Sequence, residues 1–122
     1  MILADTSIWI DHLRTEDRRM RQLLEAGQIA IHPYIVAELA LGMLANRAQT
    51  LMFFDLLPQV RVAQLSELRQ MIEARSLYGK GIGLIDTHLV ASAYLTPSTL
   101  LWTRDKCLRS VARNLGLLAD FS

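Results

Sequence analysis

Apolar positions along the chain fall into short runs separated by longer stretches of helical periodicity. "MILA" reads as an opening strand that ends at Asp5. In "EDRRMRQLLEAG", Met20, Leu23 and Leu24 fall on one side and Gly27 supplies a stop, which predicts a helix. "QIAIH" predicts a second strand, and Pro33 suits the first turn of a helix through "YIVAELALGML". "AQTLMFFDLL" predicts another helix, ending before Pro58, and "QVRVAQL" a third strand. Ser66 stands where it could cap "ELRQMIEARSLYG", which runs into the glycine-spaced loop "GKGIG". The next helix opens at or near Asp86 and closes at Thr96-Pro97. "TLLWT" predicts a fourth strand. Leu108, Val111, Ala112 and Leu115 then space a helix over "DKCLRSVARNLG", with Gly116 as its C-cap and "LLAD" as a last short strand.

Strands alternating with helices predict an α/β fold with a parallel sheet covered on both faces. In such sheets ligands gather beyond the carboxyl ends of the strands. Asp5 follows the first strand and Thr103-Arg104-Asp105 follows the fourth. If those strands are neighbours, the two acids face one crevice.

The 122 residues suit one domain spanning 1–122, and 52% apolar with 20% charged residues describes a globular chain. A net charge of +1 is too small to mark a nucleic-acid protein, although eleven of the thirteen basic residues are arginine, the better bidentate partner for phosphate. Cys107 is the sole cysteine, so no internal disulfide forms and a reducing compartment is expected. The opening apolar run is too short for a signal peptide, and no apolar stretch reaches the roughly 20 residues of a membrane helix. A cytoplasmic location is the expectation.

Most acids stand among arginines or on polar helix faces, but three do not. Asp5 is the only charged residue in positions 1–10. Glu38 is the only acid in "IAIHPYIVAELALGMLA". Asp86 is the only acid or base, histidine aside, between Gly81 and Thr103, and its helical neighbours Leu89, Val90 and Ala93 are apolar. An unpaired buried carboxylate is costly, so each must be capped, paired, metal-bound or exposed. Capping accounts for Asp5, Asp86 and Asp105 taken one at a time. Glu38, in mid-helix, has no capping task and is otherwise read as exposed on a partner-facing helix.

Taken together, carboxylates converging in one crevice repel each other unless some stay protonated or a divalent cation intervenes. An acid-only set with no histidine or cysteine ligand pattern points to Mg²⁺ or Mn²⁺. Such a site acting on a phosphodiester can activate water and stabilise the leaving oxygen.

"ADTSIWIDHL", "VAELALG", "GLIDTHLVASA" and "LWTRDKCL", in this order and spacing, resemble the PIN-domain ribonucleases, specifically the VapC-type toxins of bacterial toxin–antitoxin pairs. The resemblance covers essentially the whole chain. It implies a Mg²⁺- or Mn²⁺-dependent endoribonuclease on a PIN-like α/β/α sandwich whose central parallel sheet has four to five short strands. It also implies that Asp5, Glu38, Asp86 and Asp105 are the catalytic acids, that Asp5, Asp86 and Asp105 hold metal, and that Ser7 and Thr103 support them. Where many relatives carry a further acid, this chain has Cys107. The implied partners are an RNA substrate, a cognate antitoxin whose C-terminal segment blocks the groove, and a second copy in a homodimer.

Lys80, Arg104 and Lys106 flank the acids and are candidates for RNA phosphate contacts. Arg109, Arg113 and the cluster Arg14, Arg18, Arg19 and Arg21 fit either RNA binding or a solvated helix face. His88 is two residues from Asp86, a spacing that does not share a helix face, so it reads as supporting or structural, like His12 and His32. Trp9, Trp102 and Phe53-Phe54 read as mostly core, with Phe53-Phe54 and Leu56-Leu57 able to supply a dimer or antitoxin contact. Cys107 reads as a small buried filler. Two other functions compete. A Mg²⁺-dependent phosphatase or phosphotransfer domain of the haloacid-dehalogenase type needs an aspartate where Ser7 stands, and a non-catalytic PIN-like binding module has no need of all four acids.

Overall fold

A computed structural model describes residues 1–121. Three strands, β1 (Ile2–Ala4), β2 (Ile29–Ala30) and β3 (Leu100–Trp102), form a parallel sheet in the order β2-β1-β3. Seven helices accompany it: α1 (Thr6–Arg14), α2 (Arg18–Glu25), α3 (Pro33–Ala40), α4 (Arg47–Leu56), α5 (Leu65–Ala74), α6 (Leu84–Leu95) and α7 (Lys106–Asn114). The first strand is therefore central, with Ala4 paired to Trp102, so the residues that follow β1 and β3 emerge side by side. That adjacency is what the crevice reading required.

The sheet is smaller than the four to five strands expected. "QVRVAQL" and "LLAD" contribute one parallel bridge each, Ile31 with Gln59 and Leu101 with Leu118. The first pairing stops because β2 runs straight into His32-Pro33 and the start of α3, leaving no ladder to join. The Arg61 N–H turns instead to the Thr96 hydroxyl at 3.0 Å.

Capping explains most helix ends. Asp17 accepts from the Met20 N–H at 2.9 Å to open α2, and Gly27, at φ 68, ends it in the left-handed conformation that suits glycine. Helix α5 opens earlier than expected, at Leu65. Glu67 reaches back to the Gln64 N–H at 2.9 Å, so Ser66 lies inside the first turn and is not the cap.

The sheet and the inner faces of the helices share one core. Leu3, Ala4, Ile8, Trp9, Leu89 and Leu101 are fully buried there. Trp9 packs edge-on against Phe54 with ring centroids 5.2 Å apart. The expected aromatic pair divides: Phe54 is core, while Phe53 is 43% and Leu56 80% exposed. No helix among the described residues is long and apolar enough to cross a membrane.

Candidate functional site

Asp5 follows the last residue of β1 and caps α1, its Oδ1 accepting from the Ile8 N–H at 3.2 Å. The capping reading of this residue is met. The same Oδ1 accepts from the Ser7 hydroxyl at 2.5 Å, and Oδ2 accepts from the Thr103 hydroxyl. The backbone adds a further tie, from the Asp5 N–H to the Trp102 carbonyl at 3.0 Å. Asp5 is only 5% exposed, and its orientation is fixed from both sides.

Asp105 follows β3 in the same way and caps α7 through Oδ1, which accepts from the Leu108 N–H at 2.9 Å. Its own N–H donates to Thr103 Oγ1 at 3.1 Å. Buried Thr103 thus bonds Asp5 through its hydroxyl hydrogen and Asp105 through its oxygen, joining the two strand ends. Arg109 donates to the Thr103 carbonyl at 3.2 Å and bonds Asp120 as well.

Asp86 is half-buried in the first turn of α6. Gly83, not Asp86, is the N-cap residue. Burial of its carboxyl raises the Asp86 pKa, the charges of Asp105 and then Asp5 raise it further, and a hydrogen bond from the Gly83 backbone partly offsets them. Glu38 is exposed as a residue on α3, as the partner-facing reading had it. Its pKa is nonetheless raised, first by desolvation of the carboxyl and then by Asp86 and Asp5. For so open a residue the charges are the more informative cause. Charge therefore links Glu38 to Asp86 and Asp5, and Asp86 to Asp105 and Asp5, although these residues are distant in sequence.

The donors are all oxygen, and the like charges that raise the Glu38 and Asp86 pKa values invite a hard cation. Among the described residues no three histidine, cysteine or acidic side chains close on a single point. Mg²⁺ keeps several waters and binds through one or two carboxylates, so it does not require three such side chains on one point. On these grounds the residues fit such an ion.

Two buried histidines, His32 and His88, pack with ring centroids 6.0 Å apart. His32 accepts from the Tyr34 N–H through Nδ1 at 2.9 Å and so caps α3, the helix that bears Glu38. Burial, and after it His88, lowers the His32 pKa to about 4. His88 lies edge-on to Tyr34 with centroids 4.8 Å apart, and burial lowers its pKa as well. His32 thus has a capping role, and His88 packs against Tyr34. The capping role of His32 was legible in "HP" at a helix start and was missed, as was Gly83 three residues before Asp86.

The three basic candidates separate. Arg104 is paired with Asp11 at 2.5 Å and Asp17 at 3.3 Å at the surface. Lys80 and Lys106 line a common pocket. Cys107 is exposed and not a buried filler, because it stands in the first turn of α7 with its sulfur turned toward Gly81. Arg21 pairs with Glu16 at 3.3 Å, and Arg19 covers the Phe121 ring.

The PIN domain family profile matches residues 2–114. Ribonuclease VapC32 of Mycobacterium tuberculosis, in strains CDC 1551 / Oshkosh and ATCC 25618 / H37Rv, is 38% identical to the chain over 117 residues, covering 96% of this chain and 94% of the relative.

Proposed function

The chain belongs to the PIN-domain family, and we propose that it is a metal-dependent endoribonuclease of the VapC kind, the toxin of a toxin–antitoxin pair. The whole of 1–122 forms its single domain in this reading. One observation carries it most: Asp5, Glu38, Asp86 and Asp105 come from separate parts of the chain, yet beyond the effect of burial the charges of Asp86 and Asp5 raise the Glu38 pKa and those of Asp105 and Asp5 raise the Asp86 pKa. The near full-length likeness to a ribonuclease supports it independently.

Asp5, Asp86 and Asp105 would hold Mg²⁺ or Mn²⁺. When bound, such an ion lowers the pKa of water and neutralises charge building on the phosphodiester. The chain's own groups do the rest. Ser7 and Thr103 fix the orientation of the Asp5 carboxylate by donating to it. We assign Glu38, which retains its proton to higher pH than an ordinary glutamate, the acceptance of a proton from the attacking water.

An apolar groove of about 590 Å³ runs from Glu38 past Ile10, Leu13 and Met43, all three of them exposed. An apolar antitoxin segment laid there would cover Glu38 and stop cleavage. The exposed face of α4, with Met52, Phe53 and Leu56, suits a second copy of the chain. The cell compartment consistent with these partners is the cytoplasm.

Incubating the purified protein with total RNA in Mg²⁺, in Mn²⁺ and in EDTA tests the proposal. Discrete new RNA 5′ ends that appear only with metal are the expected result; RNA left intact in both metals would end the reading.

A further inference from the structure

The loop leading into α6 and the exposed side of α7 enclose a pocket of about 340 Å³ that none of the four acids lines. The chain has eleven arginines and only two lysines, and both lysines, Lys80 and Lys106, line this pocket. Neither has an ion-pair partner among the described residues. Arg75 completes the rim, its guanidinium held by the Tyr94 hydroxyl at 2.6 Å and lying over that ring. No acidic residue lines the pocket to balance these charges. Flexible lysine ammoniums beside a fixed guanidinium make a surface for phosphate.

The remainder of the pocket is not suited to phosphate alone. Leu77 and Val111, both buried, give the lining an apolar part, and Asn114 and Ser110 add an amide and a hydroxyl. An apolar surface edged by hydrogen-bonding groups matches a nucleobase. The closure of the pocket is built into the backbone. Gly79 and Gly81, at φ 68 and 76, bracket Lys80, and a Cβ on Gly81 would stand 3.0 Å from the Cys107 sulfur. The loop can approach α7 this closely because position 81 has no side chain. Lys106 directly follows Asp105, and the same loop ends at Gly83, the cap of the helix that carries Asp86. The pocket therefore borders the acid site.

We propose that this pocket is a subsite for a nucleotide of the RNA strand adjoining the cut bond. Its base lies on Leu77 and Val111 with an edge toward Asn114, and its phosphate meets Lys80 and Lys106. The proposal rests on the ribonuclease reading and gives it a specificity element.

Cys107 lines the same pocket and is the only cysteine, so its alkylation by iodoacetamide, read by intact mass, reports occupancy without reference to cleavage. In the Asp86→Asn protein, uncut single-stranded RNA slows alkylation, and Lys80→Ala with Lys106→Ala removes that protection. In the otherwise unaltered enzyme the lysine pair of substitutions raises KM for RNA about tenfold, moves kcat far less, and flattens the salt dependence of binding. Asn114→Ala changes the base preference in the mapped cut sites. Cleavage that still needs the acids while Cys107 reacts equally fast with and without RNA overturns the subsite and leaves the ribonuclease reading intact. A free mononucleotide that protects Cys107 where RNA does not also overturns it. An unchanged cut-site map in Asn114→Ala overturns the base assignment.

Discussion

Thr103 and Asp5 stand 98 positions apart in the chain, and the threonine hydroxyl donates to the aspartate carboxylate inside the protein. Parallel pairing of β1 with β3 produces this contact, because both residues directly follow paired strand ends. The same threonine oxygen accepts from the Asp105 N–H. One buried hydroxyl thus sets the spacing of two acids.

Thr103→Val keeps the shape of the side chain and removes both bonds. Leaving buried polar groups unpaired costs about 1–3 kcal/mol, so the variant should melt earlier. Its kcat for RNA should fall more than its KM changes, and Thr103→Ser should restore much of both. Equal kcat in Thr103→Val and the unaltered protein would refute the positioning role.

Asp86→Asn should separate stability from activity. Burial and two like charges raise the Asp86 pKa, so its ionised form is disfavoured by the fold and stability falls as pH rises through that range. The neutral amide relieves the repulsion and should raise the metal-free melting temperature, while RNA cleavage drops by about 100-fold or more. The unaltered protein should gain stability when Mn²⁺ is added, and the variant less. A lower melting temperature for the variant without metal would contradict this account.

His32 gives the opposite pH slope. Its pKa falls from 6.5 to about 4 on folding, so the unfolded chain binds more protons between those values. The stability contribution is complete above pH 6.5 and is lost as pH falls through 4, up to about 3 kcal/mol. His32→Asn retains an acceptor for the Tyr34 N–H and removes the titration. Melting curves from pH 7 to pH 4 should therefore be flatter for the variant; parallel curves would show that another group drives acid unfolding.

Arg104→Gln should reduce stability by less than about 1 kcal/mol, since its partners Asp11 and Asp17 sit at the surface. Binding of RNA at moderate salt should change little, in contrast to Lys106→Ala. Titration of both variants with the same labelled RNA compares them directly.

These residues show what a sequence can reveal. Strands β1 and β3 were legible because each is a short apolar run ended by a polar turn, and helices α2 and α7 because aspartate and glycine punctuate them. The strand expected at "QVRVAQL" had the right alternation, but pairing depends on the neighbouring strand, and β2 ends at His32-Pro33. Asp5 and Asp105 looked like either caps or site acids. They are caps, and their places at the strand ends also put them among the candidate acids, because a helix start following a parallel strand offers both at once. The ties of Arg104 to Asp11 and Asp17, and the turn of Cys107 toward Gly81, are long-range contacts that no local pattern encodes.

The most direct test compares RNA cleavage by the unaltered protein, Asp5→Asn and Asp86→Asn, with folding checked by circular dichroism. Metal-dependent cleavage by the first and none by the two folded variants is the predicted result. Cleavage that persists undiminished in both variants would contradict the assignment of these acids to one site.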